Sequence, residues 1–144
     1  MIRSAKAHWA GDGMSGQGNL TTQSHVLNAQ PYSFKLRFEN ADGQAGTNPE
    51  ELLAASHSGC FTMAVAFALA SAGFTATSLD TEAQVTLTPA DGGFSITAIV
   101  LKLTAAIPGI SKEQFDAITA GAKAGCPISK ALSAVPITLE ATLA

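Results

Sequence analysis

Apolar residues Ala5, Ala7 and Trp9 alternate with Ser4, Lys6 and His8 at the start of the chain, the two-residue period of a strand. A glycine-rich turn around Gly11 to Gly18 follows, and Leu20 to Val26 is expected to return as a second strand with weaker alternation. The clearest alternation lies in SFKLRFE. There Phe34, Leu36 and Phe38 take one face while Ser33, Lys35, Arg37 and Glu39 take the other, which predicts a third strand. The period then changes. Asn48 suits an N-cap, Pro49 the first helical position, and Glu51 completes a capping pattern. Leu52, Ser56, Cys60, Met63, Phe67 and Ala70 recur at spacings of three or four, so a long helix is expected from Pro49 to Ala72, stopped by Gly73. Such a helix spans about 36 Å, and its Ala-rich, apolar other faces place it at the centre of the molecule.

Two more strands, Asp80 to Thr88 and Phe94 to Ala105, flank the hairpin-like PADGG. Ser111 to Gln114 opens a second helix that runs through Phe115, Ile118 and Ala122 to Gly125, and Pro127 starts a third, shorter one. Ile137 to Leu143 alternates and closes the chain as a strand. The predicted order is β-β-β-α-β-β-α-α-β, an α+β class without the regular alternation of a doubly wound sheet. No repeat or linker divides it, so one domain over residues 1–144 is expected.

Composition adds a tendency to associate. Among 144 residues there are 8 Lys or Arg and 11 Asp or Glu, 13 % charged against 47 % hydrophobic, where a soluble domain carries about 25 % charge. A monomer so poor in charge is short of polar groups to cover itself, which points to surface buried in an oligomer. The net charge of −3 and the scattered basic residues argue against phosphate-driven binding of nucleic acid. MIRSAKAHWAGDG lacks the apolar segment of a secretory signal, so the cytoplasm is the expected compartment. No charge occurs between Glu51 and Asp80, but the polar ASHSGC and the missing basic flank favour a buried helix over a membrane span.

Cys60 falls inside the long helix and Cys126 at the predicted start of the last one. Plain packing of two small hydrophobes accounts for both. Two cysteines in a reducing compartment are also the minimum for reversible disulfide chemistry, and a helix N-terminus stabilises a thiolate. Zinc is a competing use, with His57 one turn before Cys60 and His8 or His25 to draw on, although no C-x-x-C pair is present. A Cys60–His57 nucleophile for acyl transfer is another, without an orienting motif beside it. Arg37, one of two arginines with Arg3, is either a solvated neighbour of Lys35 and Glu39 or a guanidinium available to a thiolate. Glu50 could hold it bidentately, or could compensate the helix dipole together with Glu51.

The run TNPEELLAASHSGCFTMA at 47–64, with AGCPISKAL at 124–132, resembles the OsmC/Ohr family of organic hydroperoxide reductases. HWAGDG, VLNAQPYSFKLRFE and PGISKEQFD are similar to its OsmC branch, and the resemblance covers nearly the whole chain in order. It implies that Cys60 is the peroxidatic cysteine, Cys126 the resolving cysteine, Arg37 the active-site arginine and Glu50 the carboxylate that holds it. The Ohr branch places its arginine nearer the N-terminus, which leaves Arg3 as a substitute. The resemblance also implies an intertwined homodimer with active sites at the interface, an organic hydroperoxide substrate, no metal or organic cofactor, and recycling by an external dithiol of lipoyl type. Phe61, Met63 and Phe67, around Cys60, would bury the alkyl part of the peroxide; core packing is the other account of them. A redox-sensing or ligand-binding module with little turnover, and a zinc-bound structural protein, are the alternatives.

Overall fold

In the computed structural model, which describes residues 1–144, the chain divides into two units, Met1–Leu52 and Leu53–Ala144. The first is built on an antiparallel meander of β1 (Ala5–Ala10), β2 (Gln17–Thr22) and β3 (Gln30–Ser33). Asp12 ties the β1–β2 turn, accepting from the N–H groups of Met14 and Ser15 at 2.8 Å each. The Ser15 hydroxyl donates to the same carboxylate, and these bonds hold the Asp12 pKa at about 2. Gly16 closes that turn because an added Cβ would fall 2.3 Å from the Asp12 carbonyl oxygen. β2 ends at Thr22 instead of running on to Val26. The Thr22 N–H turns to the Leu27 carbonyl at 2.9 Å and its hydroxyl takes the Leu27 N–H at 3.1 Å, which closes a loop.

The expected strand through SFKLRFE does not form. Ser33, at the end of β3, pairs with Gln17, the first residue of β2. A longer β3 would face Gly16, which the turn already occupies, and would have no ladder partner. Ser33 instead caps a short helix, α1 (Phe34–Phe38), its Oγ accepting from the Leu36 N–H at 3.2 Å. Phe34 and Phe38, one helical turn apart, stack with ring centroids 4.9 Å apart.

Asn48 caps α2 (Pro49–Ser71), its Oδ1 accepting from the Glu51 N–H at 2.8 Å. The second unit contains most of α2 and adds β4 (Ser78–Ala90), β5 (Gly93–Ala106), α3 (Lys112–Gly125), α4 (Pro127–Ala131) and β6 (Ile137–Leu143). β4 and β5 form an antiparallel hairpin, and β6 lies parallel to β5 after the chain crosses over through α3 and α4. Ser111 and Gln114 make the expected capping box at the start of α3. His57, Phe61, Val65 and Leu69 form the buried stripe of α2. The three apolar members pack in one core with Leu101, Leu103 and Ala105 of β5, Phe115 and Ala122 of α3, and Cys126. Each such large side chain contributes about 1.5–3 kcal/mol by leaving water.

The position of α2 differs from the expected central burial. The unit has one sheet, which covers one side of the helix and leaves Met63 62 % and Phe67 69 % exposed. By length and composition alone α2 is apolar enough to cross a membrane, with a mean hydropathy of 1.6.

Candidate active site

Cys60 immediately precedes Phe61 on α2, and Cys126 stands between α3 and α4, where Pro127 ends one helix and begins the next. The fold brings the two sulfurs to 3.3 Å as free thiols. A disulfide needs about 2.05 Å, so roughly 1 Å of further approach would close one. Cys126 is fully buried and Cys60 is partly exposed. Burial pushes the Cys60 thiol above its ordinary 9.0, and the neighbouring Cys126 adds to that rise. Burial acts upward on Cys126 as well, but the Ser129 N–H, the Cys60 thiol, the Ser129 hydroxyl and the Ile128 N–H together outweigh it. The Cys126 pKa is therefore lowered. Cys126 is thus the more acidic of the two thiols.

The first unit contains a second constellation. Arg37 in α1 donates from Nε to Glu50 Oε2 at 3.1 Å and from Nη2 to Glu50 Oε1 at 2.5 Å, a bidentate fork. Its guanidinium lies 4.9 Å from the centre of the Phe38 ring. The Glu50 side chain is 14 % exposed and that of Arg37 34 %, so the pair is partly screened from water while guanidinium N–H groups remain for a further anion. Arg37 thus reaches Glu50 from a helix, not from the polar face of a strand.

The three apolar residues expected around a substrate separate. Phe61 is enclosed in the core, whereas Met63 and Phe67 stand on the open side of α2. Met63 borders a groove of about 980 Å³ together with Ser58, Thr62, Thr81 and Lys102, and neither cysteine lines it. His57 Nε2 is 2.8 Å from Ser129 Oγ, so this ring nitrogen is committed away from Cys60, and no group of three or more His, Cys, Asp or Glu side chains converges as a metal site would need. Ser129 is the contact that the motif reading missed. The available signals were its position three residues after Cys126 and the place of His57 one turn before Phe61 on an apolar stripe.

Two thiols of unequal acidity within bonding reach on an α+β scaffold define a thiol-based redox protein. Residues 41–140 match the OsmC family, described as OsmC-like protein. The chain is 52 % identical over 138 residues to Peroxiredoxin OsmC of Escherichia coli (strain K12), covering 96 % of this chain and 94 % of that protein. It is 32 % identical over 118 residues to Organic hydroperoxide resistance protein OhrB of Bacillus subtilis (strain 168), covering 79 % and 80 %. The crystal structure of an organic hydroperoxide resistance protein OsmC from Legionella pneumophila superposes with a TM-score of 0.73 at 25 % identity, covering 99 % of this chain and 97 % of that one. The chain belongs to the OsmC-like family and is an oxidoreductase of the peroxiredoxin type.

Proposed function

We propose that this protein reduces organic hydroperoxides, and hydrogen peroxide more weakly, to the alcohol or water through a cysteine pair. The observation that carries this reading is the 3.3 Å approach of the free Cys60 and Cys126 sulfurs. Cys60, the more accessible of the two, takes the first step. Its thiolate attacks the distal peroxide oxygen, the O–O bond breaks, the alkoxide leaves and gains a proton, and Cys60 becomes a sulfenic acid. Cys126 then displaces hydroxide from that sulfur to form the disulfide, and an external dithiol of lipoyl type returns both thiols by exchange.

Burial raises the Cys60 pKa, so the first step calls for a cation. We assign that role to Arg37, oriented by Glu50, a fork supported by its two hydrogen bonds. Residues 1–144 then work as one functional domain, and the reducing cytoplasm is where such a dithiol cycle is sustained. The open apolar side of α2, with Met63 and Phe67, supports a homodimer in which a second copy covers it. The cycle uses no metal or organic cofactor.

Cys60→Ser should abolish reduction of cumene hydroperoxide with a lipoamide donor, and wild-type rates in that variant would refute the scheme. Cys126→Ser should consume about one equivalent of peroxide and stall, because the sulfenic acid forms but cannot close. Undiminished turnover there would remove Cys126 from the resolving step.

A further inference from the structure

The most enclosed polar contact in the second unit takes no part in the cysteine chemistry described above. His57 on α2 is 0 % exposed and Ser129 on α4 8 % exposed, and they meet at 2.8 Å through Nε2 and Oγ. His57 heads a buried stripe whose other members, Phe61, Val65 and Leu69, are apolar. An apolar side chain there would fill the same space at no desolvation cost, so packing does not account for an imidazole. Its Nδ1 is buried with no hydrogen-bond partner, which leaves the bond to Ser129 as the ring's one polar contact.

The geometry gives that bond a use. His57 and Cys60 stand three residues apart on α2, about 4.5 Å along its axis, and Cys126 and Ser129 stand three apart where α4 begins. His57 faces Ser129 while Cys60 faces Cys126 at 3.3 Å, so the order reverses and both contacts belong to one antiparallel register, a single turn apart. A one-residue slip of α4 would swing both of its side chains about 100° off that face. By itself α4 resists such a slip poorly, having five residues, fewer than an isolated helix needs, and no side-chain cap at Cys126. The apolar contacts of Cys60 and Ile128 with the core favour burial without fixing direction. A hydrogen bond at 2.8 Å does fix it. The backbone carries that constraint to the thiol, because the Lys130 N–H reaches the Cys126 carbonyl at 3.0 Å within the same turn.

We propose that His57 is a positioning residue for Cys126: its bond to Ser129 pins α4 against α2 in the register that sets the two sulfurs together. The pin lies one turn from the sulfurs, so it survives the small approach that closes the disulfide and meets the ordering cost of that closure in advance. The part of this inference that concerns turnover rests on the function proposed above; the register of the two thiols does not. In the cycle Cys126 gives up its proton to solvent and its sulfur lone pair forms the S–S bond. The S–O bond of the Cys60 sulfenic acid breaks, and hydroxide leaves with that electron pair and is protonated to water. The oxidant is the hydroperoxide consumed in the preceding step.

The pin is tested by the dithiol-disulfide equilibrium of the full-length protein in buffers of reduced and oxidised glutathione, read by alkylation of free thiols. There oxidised glutathione takes the two electrons and two glutathione thiols form, so no peroxide is needed. Ser129→Ala should lower the equilibrium constant for the Cys60–Cys126 disulfide about tenfold, a potential less negative by about 30 mV. His57→Gln, which keeps a hydrogen-bonding atom near the place of Nε2, should stay within about threefold of wild type. Pairing His57→Phe with Ser129→Ala separates positioning from general structure. With both partners apolar no polar atom is stranded, so stability in urea should return close to wild type while the equilibrium stays about tenfold low. Recovery of the equilibrium together with stability overturns the proposal, as does an unchanged equilibrium in folded Ser129→Ala. The double variant also covers the case in which Ser129→Ala alone fails to fold. In single turnover with cumene hydroperoxide, Ser129→Ala should slow disulfide closure about tenfold relative to sulfenic acid formation. Equal slowing of both steps would assign the contact to general structure and overturn its positioning role. If wild-type protein does not reduce peroxide at all, the proposed function falls while the glutathione equilibrium still decides the pin.

Discussion

Arg37 carries two separable properties, a positive charge and a planar fork, and the hydrogen bonds to Glu50 use the fork. Arg37→Lys keeps the charge but cannot present two parallel donors, whereas Arg37→Met removes both. With Arg37 as the cation that lets Cys60 ionise, Arg37→Met should lower kcat/KM for cumene hydroperoxide about 100-fold. The sign of the pH effect follows from the same role. Without the guanidinium the Cys60 pKa stays high, so the acid limb of the pH–rate profile should move to higher pH in Arg37→Met. In Arg37→Lys that limb should move little while kcat/KM still falls, because orientation is lost and charge is kept. An acid limb unmoved in Arg37→Met would detach Arg37 from Cys60. Only the candidate status of Arg37 was legible in the chain, through its scarcity and the TNPE motif; its helical setting was not.

At the scale of elements, SFKLRFE shows why periodicity misled. Phe34 and Phe38 share a face in a strand, as every second residue does, and in a helix, as every fourth does. The choice falls to Ser33, whose hydroxyl caps α1, and to β2, which has no residue left to pair beyond Gln17. Ser33→Ala should therefore cost about 1 kcal/mol in urea unfolding, the usual value of a side-chain cap. Ser33→Asp, which still accepts from the Leu36 N–H, should retain most of it. Equal stability of Ser33→Ala and the parent would mean that Phe34 and Phe38 hold α1 without the cap. By contrast α2, α3 and α4 start where Asn48, Ser111 and Pro127 mark them, because the side-chain caps of α2 and α3 and the first-turn proline of α4 act within a few residues of chain.

At the scale of the whole molecule, the scarcity of charge and the open side of α2 describe the same surface. Met63 and Phe67 expose large apolar area on a helix whose opposite stripe is fixed in the core. A second copy that covers this side should make wild-type protein a dimer by analytical ultracentrifugation, and Phe67→Glu should dissociate it by placing a charge in the interface. A monomeric parent would refute the dimer, and a dimer indifferent to Phe67→Glu would place its interface elsewhere.

The sequence by itself determined what local chemistry decides: the helix starts, the alternating strands β4, β5 and β6, and the identity of the two cysteines. These features depend on residues a few positions apart, so neighbouring chain suffices to write them. Tertiary structure decided which stripe of α2 is buried, whether residues 34–38 coil or extend, and that Cys60 meets Cys126 across 66 residues and His57 meets Ser129 across 72. Such contacts depend on where β5, α3 and α4 return the chain against α2, and their energy is realised only after that loop has closed. The unequal acidity of the two thiols belongs to this second kind. It arises from burial and from the donors of Ile128 and Ser129 that the closed fold sets beside the sulfurs.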